Sequence, residues 1–342
     1  MGATGLRTHI WNNNLKSLLL LAGFPVLLSL VALAAAFVLS GASEGGSGYY
    51  DKDGAYVGGG AVNFAGALET WPTMFAISMV IAAIWFVIAW FGHQAMIDAS
   101  TGAHSVERGD EPELYNLLEN LCISRGLTMP KLRIIETPQM NAYASGLKQS
   151  QYTVTVTRGL MQSLNKEELE AVLAHELSHI RNNDVRLLVI SVIFVGIFSF
   201  LAQIGFRALF HGAFSRVGGS RRGSGGNAII IVLIAMVIVG IAYGLALVIR
   251  FMLSRRREYM ADAGAVELTR NPDAMISALE KISGHAAIEG APDGVREMMI
   301  ENPKSGFAGM FATHPPIEKR IEALVEFAGG ERRLRQSAVP QV

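Results

Sequence analysis

The chain reads as an α-helical multi-pass membrane protein carrying a mixed α+β domain outside the bilayer. Three observations lead there. Of the 342 residues, 51% are hydrophobic and only 17% are charged, against about 25% charged in an average soluble protein. The apolar excess is gathered into blocks that lack charged side chains. Between and after those blocks lie two polar stretches patterned like folded helices and strands.

The apolar blocks are taken first. They cover residues 18–39, 74–91, 187–205 and 228–249, each close to the roughly 20 residues a helix needs to cross a hydrocarbon core. The first could instead be a signal sequence ending at the small residues Ser40-Gly41-Ala42. Its apolar run is longer than a signal core, which favours a retained anchor. Residues 1–92 are therefore read as a membrane hairpin with a Gly-rich outer loop at 41–72, and 187–252 as a second hydrophobic hairpin. Arg7 and Lys16 precede the first block, whereas the 41–72 loop carries Glu44, Asp51, Asp53 and Glu69 against Lys52 alone. The positive-inside rule then puts the N-terminus and the polar domain in the cytoplasm. Arg207, Arg216, Arg221 and Arg222, between the third and fourth blocks, run against that rule and leave open whether the second hairpin fully crosses.

The polar stretches come next. Residues 93–186 predict a helix near Glu111–Ser124, strands at Lys131–Glu136 and Tyr152–Thr157, and a helix opened by Asn165 with Glu168 three residues on, a capping box. Residues 253–328 predict a helix through Arg255–Leu268, one after Asn271-Pro272-Asp273 ending at Gly284, and one after Pro315-Pro316. Residues 329–342 read as a flexible tail. Net charge is zero, so nothing argues for nucleic acid as a partner. Cys122 is the lone cysteine. Its solitude excludes an internal disulfide and a cysteine-based metal site, and it reads as a buried helix residue.

The chemistry sits on the capped helix, in His175-Glu176-Leu177-Ser178-His179. Imidazoles at i and i+4 share one helix face and can hold one tetrahedral zinc, with the intervening glutamate reaching the attacking water. The motif follows two strands, as an α+β zincin (gluzincin-like) protease domain requires. Downstream, Glu258 and Asp262 lie one turn apart on one helix face. Glu258 could complete a His-His-Glu set and Asp262 could orient a ligand histidine. Equally, both could be solvated charges beside Arg255, Arg256 and Arg257. The chain between His179 and Glu258 holds two apolar blocks, so both ends return to one side of the membrane. His93, His211 and His285 have no partner at ligand spacing and read as structural.

These motifs resemble those of the HtpX-type membrane zinc metallopeptidases, relatives of the CAAX prenyl endopeptidase. The likeness rests on four segments in order: Met140-Asn141-Ala142-Tyr143-Ala144-Ser145-Gly146, the His-Glu-x-x-His helix, Glu258-x-x-x-Asp262, and Thr313-His314-Pro315-Pro316 followed by Arg320. The resemblance implies one Zn2+ per chain on His175, His179 and Glu258, with Glu176 as catalytic acid/base. It implies His314 and Arg320 near the reacting groups, and Asn141, Ala142 and Tyr143 at the edge of a substrate cleft. It further implies a bacterial inner-membrane quality-control protease acting on damaged or misassembled membrane proteins or unfolded polypeptides. The outer loop at 41–72 is longer and richer in glycine than the resemblance leads one to expect. Four apolar blocks are few for the intramembrane chamber of a CAAX-type prenyl-protein endopeptidase. A non-catalytic zinc-binding scaffold is the rival from outside the enzymes, and an intact Glu176 argues against it.

Overall fold

A computed structural model of the chain describes residues 23–37, 64–190, 255–288, 293–296, 298–301 and 314–331, with scattered positions between them. The hydrophobic hairpin expected at 187–252 and the tail after 331 lie almost wholly outside the described residues, as does His211. The chain divides into two compact units, one of Ser17–Ala89 with Ser191–Ile249, the other of Met1–Lys16, Trp90–Ile190 and Arg250–Val342.

In the first unit, helix α1 covers Gly23–Phe37. Strands β1 (Tyr49–Tyr50) and β2 (Tyr56–Val57) pair antiparallel, so the Gly-rich segment read as an open loop contains a short hairpin. Helix α2 covers Phe64–Thr101, beginning ten residues before the block at 74–91 and ending ten after it. Glu69 and Pro72, placed in the loop by the sequence, are helical. Packing explains the difference. Ala67 is buried against Ala36 and Phe37, Phe64 meets Phe37 edge-on, and the Trp71 indole N–H donates to the Ser29 carbonyl at 3.1 Å. Those contacts outweigh the one backbone hydrogen bond that a proline removes. Among the described residues, α2 is the one helix long and apolar enough to cross a membrane.

The second unit begins with the last turns of α2. Strands β3 (His104–Ser105), β4 (Lys131–Ile135), β5 (Ala142–Ser145) and β6 (Thr153–Thr157) form a sheet in the order β3-β4-β6-β5. β4 and β6 are parallel and the outer pairs antiparallel. All five residues of β6 are buried, as expected of a β-branched central strand covered on both faces. Helix α3 (Pro112–Arg125) buries Leu114, Leu117, Leu118, Leu121 and Cys122, and ends on Gly126 in the left-handed region (φ 63°), where glycine bears no Cβ penalty. Burial pushes the Cys122 thiol up to about 11, which leaves it an inert core residue. A short helix, α4 (Arg158–Ser163), follows β6.

Helix α5 (Lys166–Arg181) starts with the expected capping box: Asn165 accepts from the Glu168 N–H, and Glu168 accepts from the Asn165 N–H. The Glu168 carboxylate is buried and also takes Lys281 Nζ at 2.7 Å and Ser277 Oγ at 2.6 Å. That ties α5 to α7 (Pro272–Ile282). Helix α6 (Arg255–Thr269) packs along α5, and at Gly264 it lies tight against Ser178. A Cβ there would stand 2.5 Å from Ser178 Oγ and 2.8 Å from Ser178 Cβ. Glycine thus sets how near α6 can come, and α6 carries Glu258. Helix α8 (Ile317–Ala328) begins after Pro316 and packs on α6 and α7.

Candidate metal centre

Helix α5 projects His175, Glu176 and His179 into the interior, where the first two are 0% and 1% exposed. The two imidazole Nε2 atoms face each other at 3.1 Å, with the ring planes perpendicular. From α6, the Glu258 carboxylate lies 3.6 Å from His175 Nε2 and 3.7 Å from His179 Nε2. Ligands about 2.0–2.2 Å from a tetrahedral zinc stand about 3.3 Å apart, so this triangle has the size of one ion's donor set. It is the one group of three such side chains among the described residues.

Both histidines are held from behind. Asp262 Oδ1 is 2.9 Å from His175 Nδ1, and Asp184 Oδ2 is 3.1 Å from His179 Nδ1. Each carboxylate fixes the tautomer that leaves Nε2 with its lone pair toward the shared point. The sequence reading found Asp262 but missed Asp184, which follows α5 after Asn183 turns the chain at φ 59°. A carboxylate just past the second histidine of such a helix was the available signal.

Electrostatics follow burial. Burial pulls His175 down, but hydrogen bonds to Asp262 and Glu258 outweigh it and raise the group to about 9. Burial raises Glu258, yet His314 and the two motif histidines hold it well below the usual carboxylate range. Burial also raises Asp262, and the Arg320 guanidinium turns that into a net lowering. Glu176 goes the other way, because its burial exceeds the pull of His175 and His179. Neither Glu176 oxygen has a hydrogen-bond partner among the described residues. A buried carboxylate without partners is costly, and a divalent cation beside it would offset that cost. The donor set and this orphaned carboxylate both fit a metal.

The remaining expected residues divide in two. His314 is 8% exposed with Nδ1 3.2 Å from Glu258, and it lines the same cavity as Glu176 and His179. Arg320, expected near the reacting groups, lies 3.5 Å from the His175 ring and 3.8 Å from Glu258, with its donors engaged. Its Nε and Nη2 donate to Asp262 at 2.9 and 2.6 Å, and Nη1 donates to the Ile300 carbonyl at 2.8 Å.

Asn141, Ala142 and Tyr143 are likewise committed inside the protein. Asn141 is fully buried, its Nδ2 donating to the Ala286 and Glu301 carbonyls and its Oδ1 accepting from the Ala142 and Ile300 N–H groups. Tyr143 and Ala142 are each 1% exposed. On the outer side of β5, the Ala142 carbonyl takes the Ile300 N–H at 2.9 Å, and Met299 bridges Tyr143 antiparallel. The chain's own segment at 298–301 therefore occupies the stretch of edge the resemblance assigned to substrate. Ala144, two residues on, does line the cavity.

The model of peptidase family M48 matches residues 109–328. A Protease HtpX homolog of Bacteroides fragilis is 43% identical over 336 residues, 96% of this chain and 100% of the relative. Homologs of the same name from Listeria monocytogenes and Ligilactobacillus salivarius are 39% and 33% identical, over 72% and 93% of this chain and 84% and 99% of theirs. The crystal structure of S. mikatae Ste24p aligns at a TM-score of 0.48 with 22% identity, over 75% of this chain and 60% of that one. With a His-His-Glu cluster of metal-binding dimensions inside the matched region, the chain belongs to peptidase family M48 and is a metalloprotease.

Proposed function

We propose that the protein is a zinc-dependent, membrane-anchored endopeptidase in which His175, His179 and Glu258 hold one zinc ion per chain and Glu176 is the general base and acid. The observation that carries this reading is the convergence of both Nε2 atoms and the Glu258 carboxylate beside a buried Glu176 that has no hydrogen-bond partner. Bound there, zinc supplies Lewis acidity to a scissile carbonyl and to the attacking water. Glu176 takes a proton from that water and delivers it to the leaving amine; its raised proton affinity suits both steps. Asp262 and Asp184 keep the imidazoles oriented, Arg320 holds Asp262, and His314 stands by Glu258 to donate to the developing oxyanion.

Residues 93–186 and 253–328 form the peptidase domain in this reading, with 1–92 and 187–252 as hydrophobic hairpins and the domain facing the cytoplasm of a bacterial inner membrane. The long helix α2 supports anchorage, since only 11% of its apolar window is buried where a core helix would be covered. Such a placement favours damaged or misassembled membrane proteins and unfolded polypeptides as substrates. Detergent-purified protein, stripped by chelation and resupplied with zinc, should cleave casein, and Glu176→Gln should not, while retaining its metal. Equal cleavage by the two proteins would overturn the reading.

A further inference from the structure

We propose that Arg257 is a substrate-binding residue that recognises a carboxylate of the bound polypeptide. The inference rests on the peptidase reading above and adds a specificity to it. The sequence assigns Arg257 no role beyond membership of the arginine cluster with Arg255 and Arg256. It is 3% exposed and lines the cavity shared by Glu176, His179 and Glu258. Its Nε is buried without a partner, and no hydrogen bond or ion pair engages its guanidinium among the described residues.

Among the described residues, the other charged groups around the cavity are already engaged. Asp184 sits on His179, Glu258 is ringed by His175, His179 and His314, and Arg320 is paired with Asp262. Glu176 is reserved for the reacting water and makes no ion pair with Arg257. A guanidinium whose Nε is buried without a partner destabilises the fold until something completes it. A protein keeps one where a ligand completes it, as with other partnerless polar groups aimed into a cleft. The neighbouring walls are Val185, Leu188 and Met298, which give the cation a low-dielectric setting in which a counter-charge counts for more. A planar fork of N–H donors matches a carboxylate two bonds at a time. In a polypeptide that group is either an acidic side chain or the C-terminal carboxylate.

The experiment uses the full-length, zinc-loaded protein in detergent and two sets of peptides. In one, a single glutamate is walked along either side of the scissile bond, each peptide paired with its glutamine counterpart. In the other, a neutral peptide carries a free or an amidated C-terminus. Wild type should favour the carboxylate peptide at one position by about ten- to a hundredfold in kcat/KM, the range of hydrogen bonds to charged groups. The responding set identifies the source. Arg257→Met, which keeps the apolar stem, should reduce that ratio to about one, and Arg257→Lys should leave part of it. The affinity of the same peptides for Glu176→Gln, read by fluorescence anisotropy, should show the same preference without turnover. Equal treatment of both members of every pair by wild type would overturn the proposal, and that result needs no variant to fold. A preference that survives Arg257→Met would overturn it too, as would a uniform loss on all peptides, which marks a backbone or oxyanion contact. Failure to cleave any peptide would instead count against the peptidase reading itself.

Discussion

Asp262→Asn isolates what the buried carboxylate behind His175 contributes. Asp262 accepts 2.9 and 2.6 Å bonds from Arg320 and meets His175 Nδ1 at 2.9 Å, all out of solvent. The amide keeps the shape and removes the charge: its oxygen can still accept from Arg320 Nη2 and His175 Nδ1, which share Oδ1, but its NH2 group then faces Arg320 Nε, donor to donor. Two losses follow, of different kinds. Breaking this buried ion pair leaves Arg320 only its longer 3.8 Å approach to Glu258 and should lower stability by about 3 kcal/mol. Loss of the negative charge behind His175 should weaken metal binding about 10- to 100-fold, or roughly 1.4–2.7 kcal/mol. Denaturant unfolding of the metal-free protein reads the first and chelator competition reads the second. The pair Asp262→Asn with Arg320→Met separates them, because removing the orphaned cation should restore much of the stability and none of the affinity. An Asp262→Asn protein that binds zinc within about twofold of wild type would refute that role for the charge.

Other expectations follow from the same geometry. Asp184→Asn should weaken zinc binding about tenfold with a smaller stability loss, since its histidine is the less buried of the two. Gly264→Ala should destabilise by about 1–3 kcal/mol and lower zinc affinity by pushing α6 from α5, and Ser178→Gly in the same chain should recover most of both. Zinc binding should release a proton near neutral pH, because His175 of the metal-free protein is protonated up to about 9. Calorimetry in buffers of different ionisation enthalpy should show it, with affinity falling about tenfold per pH unit below that value. The sign for stability is linked: the contribution of His175 to the metal-free fold is complete below 6.5 and is lost as pH rises through about 9. Asn141→Ala should destabilise by a few kcal/mol, because it leaves the buried Ala142 N–H and the Ala286 and Glu301 carbonyls without their partner at once.

Much of the protein was legible because local chemistry and tertiary need agree there. Asn165 and Glu168 announce the start of α5, Pro272 and Pro316 mark the entries to α7 and α8, and the i, i+4 spacing of His175 and His179 already puts two rings on one face. What was not legible depends on contacts between distant segments. Strand β5 is Ala-Tyr-Ala-Ser, with no β-branched residue, and is a strand because β6 and residue 299 flank it. Helix α2 runs through Pro72 because α1 packs against its first turns. The role expected of Asn141 gave way to a structural one because the segment at 298–301, remote in sequence, folds back onto it. Arg257 looks like its two arginine neighbours in the sequence, which gives no sign that its own side chain is buried.

The most direct test of the central claim is zinc K-edge X-ray absorption with metal analysis on the purified chain. The account predicts one zinc per chain bound by two imidazoles and carboxylate oxygen at about 2.0–2.2 Å, with one imidazole lost in His179→Ala and occupancy lowered in Glu258→Ala. A spectrum without imidazole, or one unchanged in both variants, would contradict it.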